Sequence, residues 1–157
     1  MNSTETIISG IGTWQQAIAE LLSSPGLSVS MYSPDYADWP LNQIELINAL
    51  NAWGLQGQHP GMRMLARRFD LVQRDQARFT QWRLRFSHRI DCRELPETLP
   101  APVESLLTPD RGLVAIPSVT HRRAAICSSG RLHAALEQFD QAWALSHAGF
   151  PAHVLGL

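Results

Sequence analysis

Lysine is absent from this sequence, so all thirteen positive side chains are arginine. The bias reads first as the coding preference of a GC-rich genome and second as selection for bidentate anion contacts, which guanidinium makes and ammonium does not. Cysteine is scarce. Cys92 and Cys127 stand in apolar stretches without C-x-x-C spacing, which argues against a disulfide framework or a zinc clip and predicts a reduced, buried pair. Long apolar runs are missing as well: nothing approaches the roughly eighteen residues that span a bilayer. The opening Met1-Asn-Ser-Thr-Glu5 lacks the basic stretch that begins a secretory signal. The expected location is therefore the cytoplasm, with no membrane contact. His59, His121, His133, His147 and His153 show no metal-ligand spacing. His88 and Cys92, four residues apart on an expected strand, would stand about 13 Å from each other, too far to share an ion. No serine sits in a Gly-x-Ser-x-Gly elbow. On these grounds no metal, no cofactor and no catalytic residue is assigned.

What is present describes a folded domain. Apolar residues make up 45% of the 157 and charged residues 17%, the balance of a globular chain and not of a disordered one. The length suits one domain over 1–157 with a single core. Net charge is −1, but the charges are unevenly placed. Residues 1–60 carry acids and no base, residues 61–93 carry nine of the arginines, and residues 94–157 are again acidic. Such a block can mark an anion-binding face or a solvated rim.

Apolar periodicity divides the chain into alternating elements. Thr13-Trp-Gln-Gln16 has the form of a capping box, after which Trp14, Ile18, Leu21 and Leu22 recur at helical spacing as far as Ser24, before Pro25-Gly26. Leu27–Met31 alternates as a strand and opens at Ser33-Pro34 into a loop holding Asp35, Tyr36, Asp38 and Trp39. Asp38 and Pro40 signal a second helix, whose stripe Leu41, Ile44, Ile47, Leu50 and Trp53 ends at Gly54 and Gly57. Met62–Arg67 reads as a second strand, the segment through Val72, Phe79, Trp82 and Phe86 as a third helix, and His88–Leu95 as a third strand. Pro96–Pro109 reads as a connector with one helical turn at Val103–Leu107. Leu113–Ile116 and Arg123–Cys127 form a hairpin, and Ser128-Ser-Gly130 starts a last helix with Leu132, Leu136, Phe139 and Trp143. Strands alternating with helices pair in parallel through right-handed crossovers. The expected architecture is α/β: a mixed, mostly parallel sheet of about five strands with helices on both faces.

This order of elements, the Ser33-Pro-Asp35 loop, the arginine-rich Phe79–Arg93 segment and the closing hairpin and helix resemble uncharacterised bacterial domains with a phospholipase D-like fold, over roughly residues 10–150. The resemblance implies half of a phospholipase D-like unit. Enzymes of that kind carry a His-x-Lys motif followed four residues on by Asp, set on and beside a hairpin. Their histidine takes up the phosphoryl group and their lysine holds the phosphate. The nearest match here is His121-Arg-Arg123, with Cys127 and Ser128 where the aspartate belongs. The second strand of those enzymes leads into Gly-Ser-x-Asn, for which Ser128 with Gly130 is the candidate. With no lysine, the phosphate-holding ammonium is missing.

Loops leaving the carboxyl ends of strands bind ligands in open α/β sheets. Asp35 and Asp38 after the first strand, Arg67 and Arg68 after the second, and Arg93 on the third are therefore the candidate ligand-binding residues, guanidinium being suited to phosphate. The competing reading is helix capping by Asp38 with a surface ion pair. Tyr36 and Trp39 either cover a pocket there or seal the end of the sheet. The expected function is a non-catalytic phospholipase D-like domain serving as an interaction or regulatory module, with a protein partner. One alternative is nucleic-acid or phosphate-ligand binding through the Arg63–Arg93 segment, weak and set by salt. The other is a phosphodiesterase with a site remodelled around His121 and Arg123. A homodimer is expected from the half-unit length, an exposed sheet edge and the apolar tail Phe150–Leu157.

Overall fold

The computed structural model describes residues 5–23, 26 and 28–151. One sheet of eight strands runs through the molecule, in the order β1-β7-β6-β5-β2-β3-β4-β8. The strands are β1 (Glu5–Ser9), β2 (Val29–Tyr32), β3 (Met62–Ala66), β4 (Ile90–Glu94), β5 (Ser105–Leu107), β6 (Gly112–Ile116), β7 (Arg123–Cys127) and β8 (His147–Ala148). The helices are α1 (Ile11–Ser23), α2 (Ile44–Gly54), α3 (Asp70–Asp75), α4 (Ala77–Arg85) and α5 (Gly130–Ala144). The α/β class stands, but the expectation of about five mostly parallel strands does not. Only β2–β3 and β3–β4 pair in parallel; every other neighbouring pair is antiparallel. The right-handed crossover logic applies to the central strands alone, because the strands added on either flank arrive by hairpins and short returns.

The register explains the two-sided core. Met31, Met64 and Cys92 stand side by side across β2, β3 and β4, and all belong to the larger apolar cluster with α1, α2 and α4. Their neighbours Tyr32 and Leu65 point the other way, into a smaller cluster with Leu132 and Phe139 of α5. Alternation of side chains along a strand thus supplies helices on both faces.

Local departures from expectation have local causes. Helix α1 starts at Ile11 because Gly10, at φ +100°, turns the chain and its carbonyl accepts the amide of Trp14 at 3.0 Å. Thr13 and Gln16 lie inside the helix, so the capping box is not used. Helix α2 starts at Ile44, not at Asp38, because two turns intervene, closed by Trp39 N to Tyr36 O and Gln43 N to Pro40 O. Its last residue, Gly54, packs against Phe86; a Cβ there would fall 2.6 Å from the ring. The single third helix is two, broken at Gln76, which is buried and donates from Nε2 to Tyr36 O at 2.9 Å. The turn expected at Val103–Leu107 is strand β5, filling the gap between β2 and β6. Beyond α5, β8 pairs with β4, and Phe150 folds back into the core with its ring 5.1 Å from Phe69. The rest of the apolar tail, 152–157, lies outside the described residues.

Candidate functional site

The loop after β2 is built inward. Tyr36 adopts φ +61°, a left-handed conformation that a bulky residue holds only when its surroundings fix it. Here they do. Its amide donates to Ser33 Oγ at 3.0 Å, and its hydroxyl lies 2.8 Å from Leu65 O and 3.0 Å from Met31 O. Burial pushes the phenol pKa well up, so the hydroxyl remains a donor. Trp39 packs edge-on against Tyr36 at 4.7 Å and against Trp14 at 6.1 Å. Both loop aromatics are buried. They seal the end of the sheet, and Trp39 also lines a hollow of about 420 Å³ with Pro40, Asn42 and Gln76.

A cleft opens beside this seal, at the ends of β5, β6 and β7. Its volume is about 540 Å³, and its walls include Asp38, Glu104, Ser118, His121, Arg122 and Arg123. Its floor is a charge network assembled from four segments of the chain. Glu104, just before β5, receives Arg122 in bidentate fashion: Nη1 to Oε1 at 2.5 Å and Nη2 to Oε2 at 2.9 Å. The same carboxylate accepts Trp39 Nε1 at 2.9 Å. Arg122 also lies 3.4 Å from Asp38 Oδ2 and stacks 4.2 Å from the centre of the Trp14 ring. Glu104 and Arg122 keep 13% and 22% side-chain exposure, so their attraction is only partly screened, whereas Asp38, at 51%, faces solvent. At the rim, His121 Nδ1 is 2.9 Å from Thr120 Oγ1, and Arg123 has no hydrogen bond or ion pair to another side chain among the described residues.

The residues singled out in sequence do not converge. Asp35 caps its own loop, accepting Ala37 N at 3.0 Å. Asp38 joins the cleft through Arg122. Arg67, 14% exposed, donates to the Pro96 and Leu99 carbonyls, and Arg68 pairs with Glu97 at 3.3 Å. Burial raises the Tyr32 phenol pKa, against the opposing pull of the Arg67 guanidinium. Arg93 lies over Trp143 at 4.8 Å and donates to its carbonyl. Part of the basic segment is spent internally while Arg68, Arg74, Arg78 and Arg85 stay exposed: Arg83 and Arg89 are buried, the first bonded to Phe150 O and the second to His59 O while stacked on Trp53. Arg63 binds Ser30 and Asp140, and Arg74 binds Asp75. Hydrogen bonding to Arg74 lowers the Asp75 carboxyl pKa. Sequence reasoning missed Glu104 and Arg122. Their pairing spans eighteen positions and carries no motif; the available signals were an acid inside the expected turn at 103–107 and a doubled arginine at the start of the last expected strand.

Both thiols are buried and disfavoured as thiolates. Burial raises the Cys92 pKa to about 12, against the opposing pull of Arg83, and raises that of Cys127 as well. Among the described residues no His, Cys, Asp and Glu cluster could hold a metal ion, and no helix is long and apolar enough to cross a membrane.

Among the solved structures that share the architecture are two of different kinds. The archaeal chromatin protein TrmBL2, whose structure shows a novel mode of DNA binding, matches with a TM-score of 0.66 at 13% identity over 92% of this chain and 53% of its own. The phosphatidylserine synthase of Haemophilus influenzae matches with a TM-score of 0.62 at 12% identity over 98% of this chain and 40% of its own. The chain thus spans about half of the first protein and two fifths of the second, and at these identities the likeness is one of fold alone. No curated protein matches the sequence. Residues 12–150 match the family model described as a domain of unknown function, DUF7931, and the chain belongs to that family.

Proposed function

We propose that this chain is a non-catalytic phospholipase D-like domain, an interaction or regulatory module whose cleft at the ends of β5–β7 receives a ligand without transforming it. The likeness to a phosphatidylserine synthase supports the architecture. The observation that carries the reading is the state of the cleft's charged groups. Glu104 and Arg122 are committed to each other, to Trp39 and to Trp14, an arrangement that stiffens a scaffold and leaves the Glu104 carboxylate unavailable to activate a nucleophile.

Spacing supports the same conclusion and moves the comparison from the β6–β7 hairpin to the one before it. Leading into and through the β5–β6 hairpin, Val103-Glu-Ser105 followed by Asp110 has the spacing of His-x-Lys-x4-Asp, with an aspartate at the last position and the other two positions changed. Pro117-Ser118-Val119-Thr120, after β6, has the spacing of Gly-Ser-x-Asn. Val103 lines the cleft and cannot attack phosphorus; Ser105 is buried. Asp110 accepts from Thr108 Oγ1 at 2.9 Å and closes the β5–β6 turn, which gives it a structural use. The test is turnover of bis(p-nitrophenyl) phosphate by the purified protein and by His121→Ala. No turnover above buffer is expected from either. Hydrolysis that His121→Ala abolishes overturns the reading in favour of a remodelled phosphodiesterase.

Binding of nucleic acid through Arg63–Arg93 is the weaker alternative. The TrmBL2 likeness favours it, but Arg63, Arg67, Arg83 and Arg89 are committed to partners within the chain and not to phosphates.

A further inference from the structure

The two edges of the sheet are unlike. At one end β8 is two residues long, with Pro151 three residues beyond it, and so short an edge offers little to pair with. At the other end β1 has five residues, contains neither proline nor an unpaired charge, and among the described residues is bordered on one side only, by β7. We infer that β1 is a self-pairing edge through which two copies of this chain join their sheets about a twofold axis at Ile7.

The hydrogen-bond pattern fixes which groups are free. Gly10 N donates to Arg122 O at 2.7 Å, and β1 runs antiparallel to β7 with Ile7 opposite Ala125. Hydrogen-bonded pairs alternate with non-bonded ones along such a ladder. Gly10, Ile8 and Thr6 therefore turn their amides and carbonyls toward β7, while Glu5, Ile7 and Ser9 turn theirs outward. A second β1 arriving antiparallel finds those groups at matching intervals wherever the axis sets outward residues against each other, at any position from Glu5 to Ser9. Ile7 is the choice that engages the whole strand. Glu5 then faces the copy's Ser9, Ile7 faces Ile7, and about six intermolecular hydrogen bonds form.

The side chains suit a second copy. Ile7 is 47% exposed although it lies in a strand, and against its own image it is covered on both chains. Glu5 is held by Arg131 in two bonds, at 3.0 and 3.2 Å, on its own chain. In the Ile7-centred register it meets a serine, so no like charges stand opposed across the axis, which would be unfavourable. Twofold pairing of identical patches is also the commonest closed assembly.

The register makes a specific test available. Opposed residues of a hydrogen-bonded antiparallel pair have Cα atoms about 5.5 Å apart, within the roughly 4.4–6.8 Å that a disulfide spans. Ile7→Cys is therefore expected to give a covalent dimer under mild oxidation, with Cys92 and Cys127 too buried to interfere. Ile44→Cys, 53% exposed on α2, is the control and is expected to stay unlinked. By light scattering the unmodified protein should have a mass near twice 17.5 kDa, and Ile7→Lys should halve it while leaving the circular dichroism spectrum unchanged. A mass of one chain at every dilution overturns the inference. So does a dimer that Ile7→Lys leaves intact and Ile7→Cys fails to cross-link.

Discussion

Removing the carboxylate of Glu104 tests whether the cleft floor is the scaffold described above. In Glu104→Ala, Arg122 loses both bonds to its bidentate partner, and Trp39 Nε1 loses its acceptor inside the seal. Truncating one member of a buried pair costs about 3–5 kcal/mol, because the survivor is left desolvated and alone. Here the cost is smaller. Arg122 retains 22% exposure, and Asp38 already lies 3.4 Å from its Nη2, ready to take part of the freed charge. Stranding the Trp39 indole adds about 1 kcal/mol. The expected loss is roughly 2–3 kcal/mol in urea unfolding at unchanged m-value. That corresponds to a fall in Tm of about 8 °C for a chain of this length. Asp38→Asn, at 51% side-chain exposure, should cost under about 1 kcal/mol. A Glu104→Ala loss below about 0.5 kcal/mol, or a Glu104→Ala/Arg122→Ala cycle in which the two effects simply add, would refute the reasoning.

The buried thiol makes alkaline stability predictable. The folded pKa of Cys92 is about 12 against an ordinary 9.0, so the unfolded chain releases this proton first. The thiol's contribution is then complete below pH 9 and lost as pH rises toward 12, with a decline of roughly 2 kcal/mol by pH 10.5. Cys92→Ala should show a shallower alkaline fall in urea unfolding; an identical fall would contradict the assignment. Nucleic-acid binding, measured by fluorescence anisotropy on a short duplex, should be weak and should vanish near roughly 0.2 M salt; tight binding that persists above that range would show that the paired arginines release their partners.

The central helices and strands were legible because each holds a full apolar period: Trp14–Leu22, Met62–Ala66 and Leu132–Trp143 announce their buried faces. The flanking strands were not. Glu5–Ser9 is exposed at four of its five positions and has no alternation to detect; its strand conformation comes from β7. Ser105–Leu107 is buried throughout and three residues long, too short for a period of two to be told from a helical turn, and the prolines around it mimic a linker. Once these strands are in place most pairings become antiparallel, which is why local periodicity overestimated the parallel share. The candidate site failed for a related reason. Adjacent parallel strands do bring the Asp35–Asp38 and Arg67–Arg68 loops to one rim, but Arg67 and Arg68 turn to the 96–99 loop, and the acid that Arg122 selects comes from an element that sequence did not reveal.

A phosphoryl group transferred to a side chain would be visible as added mass, which makes intact-protein mass spectrometry the most direct check on the absence of chemistry in the cleft. After incubation with bis(p-nitrophenyl) phosphate and an acid-free quench that preserves phosphohistidine, the mass of the unmodified chain alone is expected. A p-nitrophenyl-phosphoryl adduct that maps to His121 would contradict it.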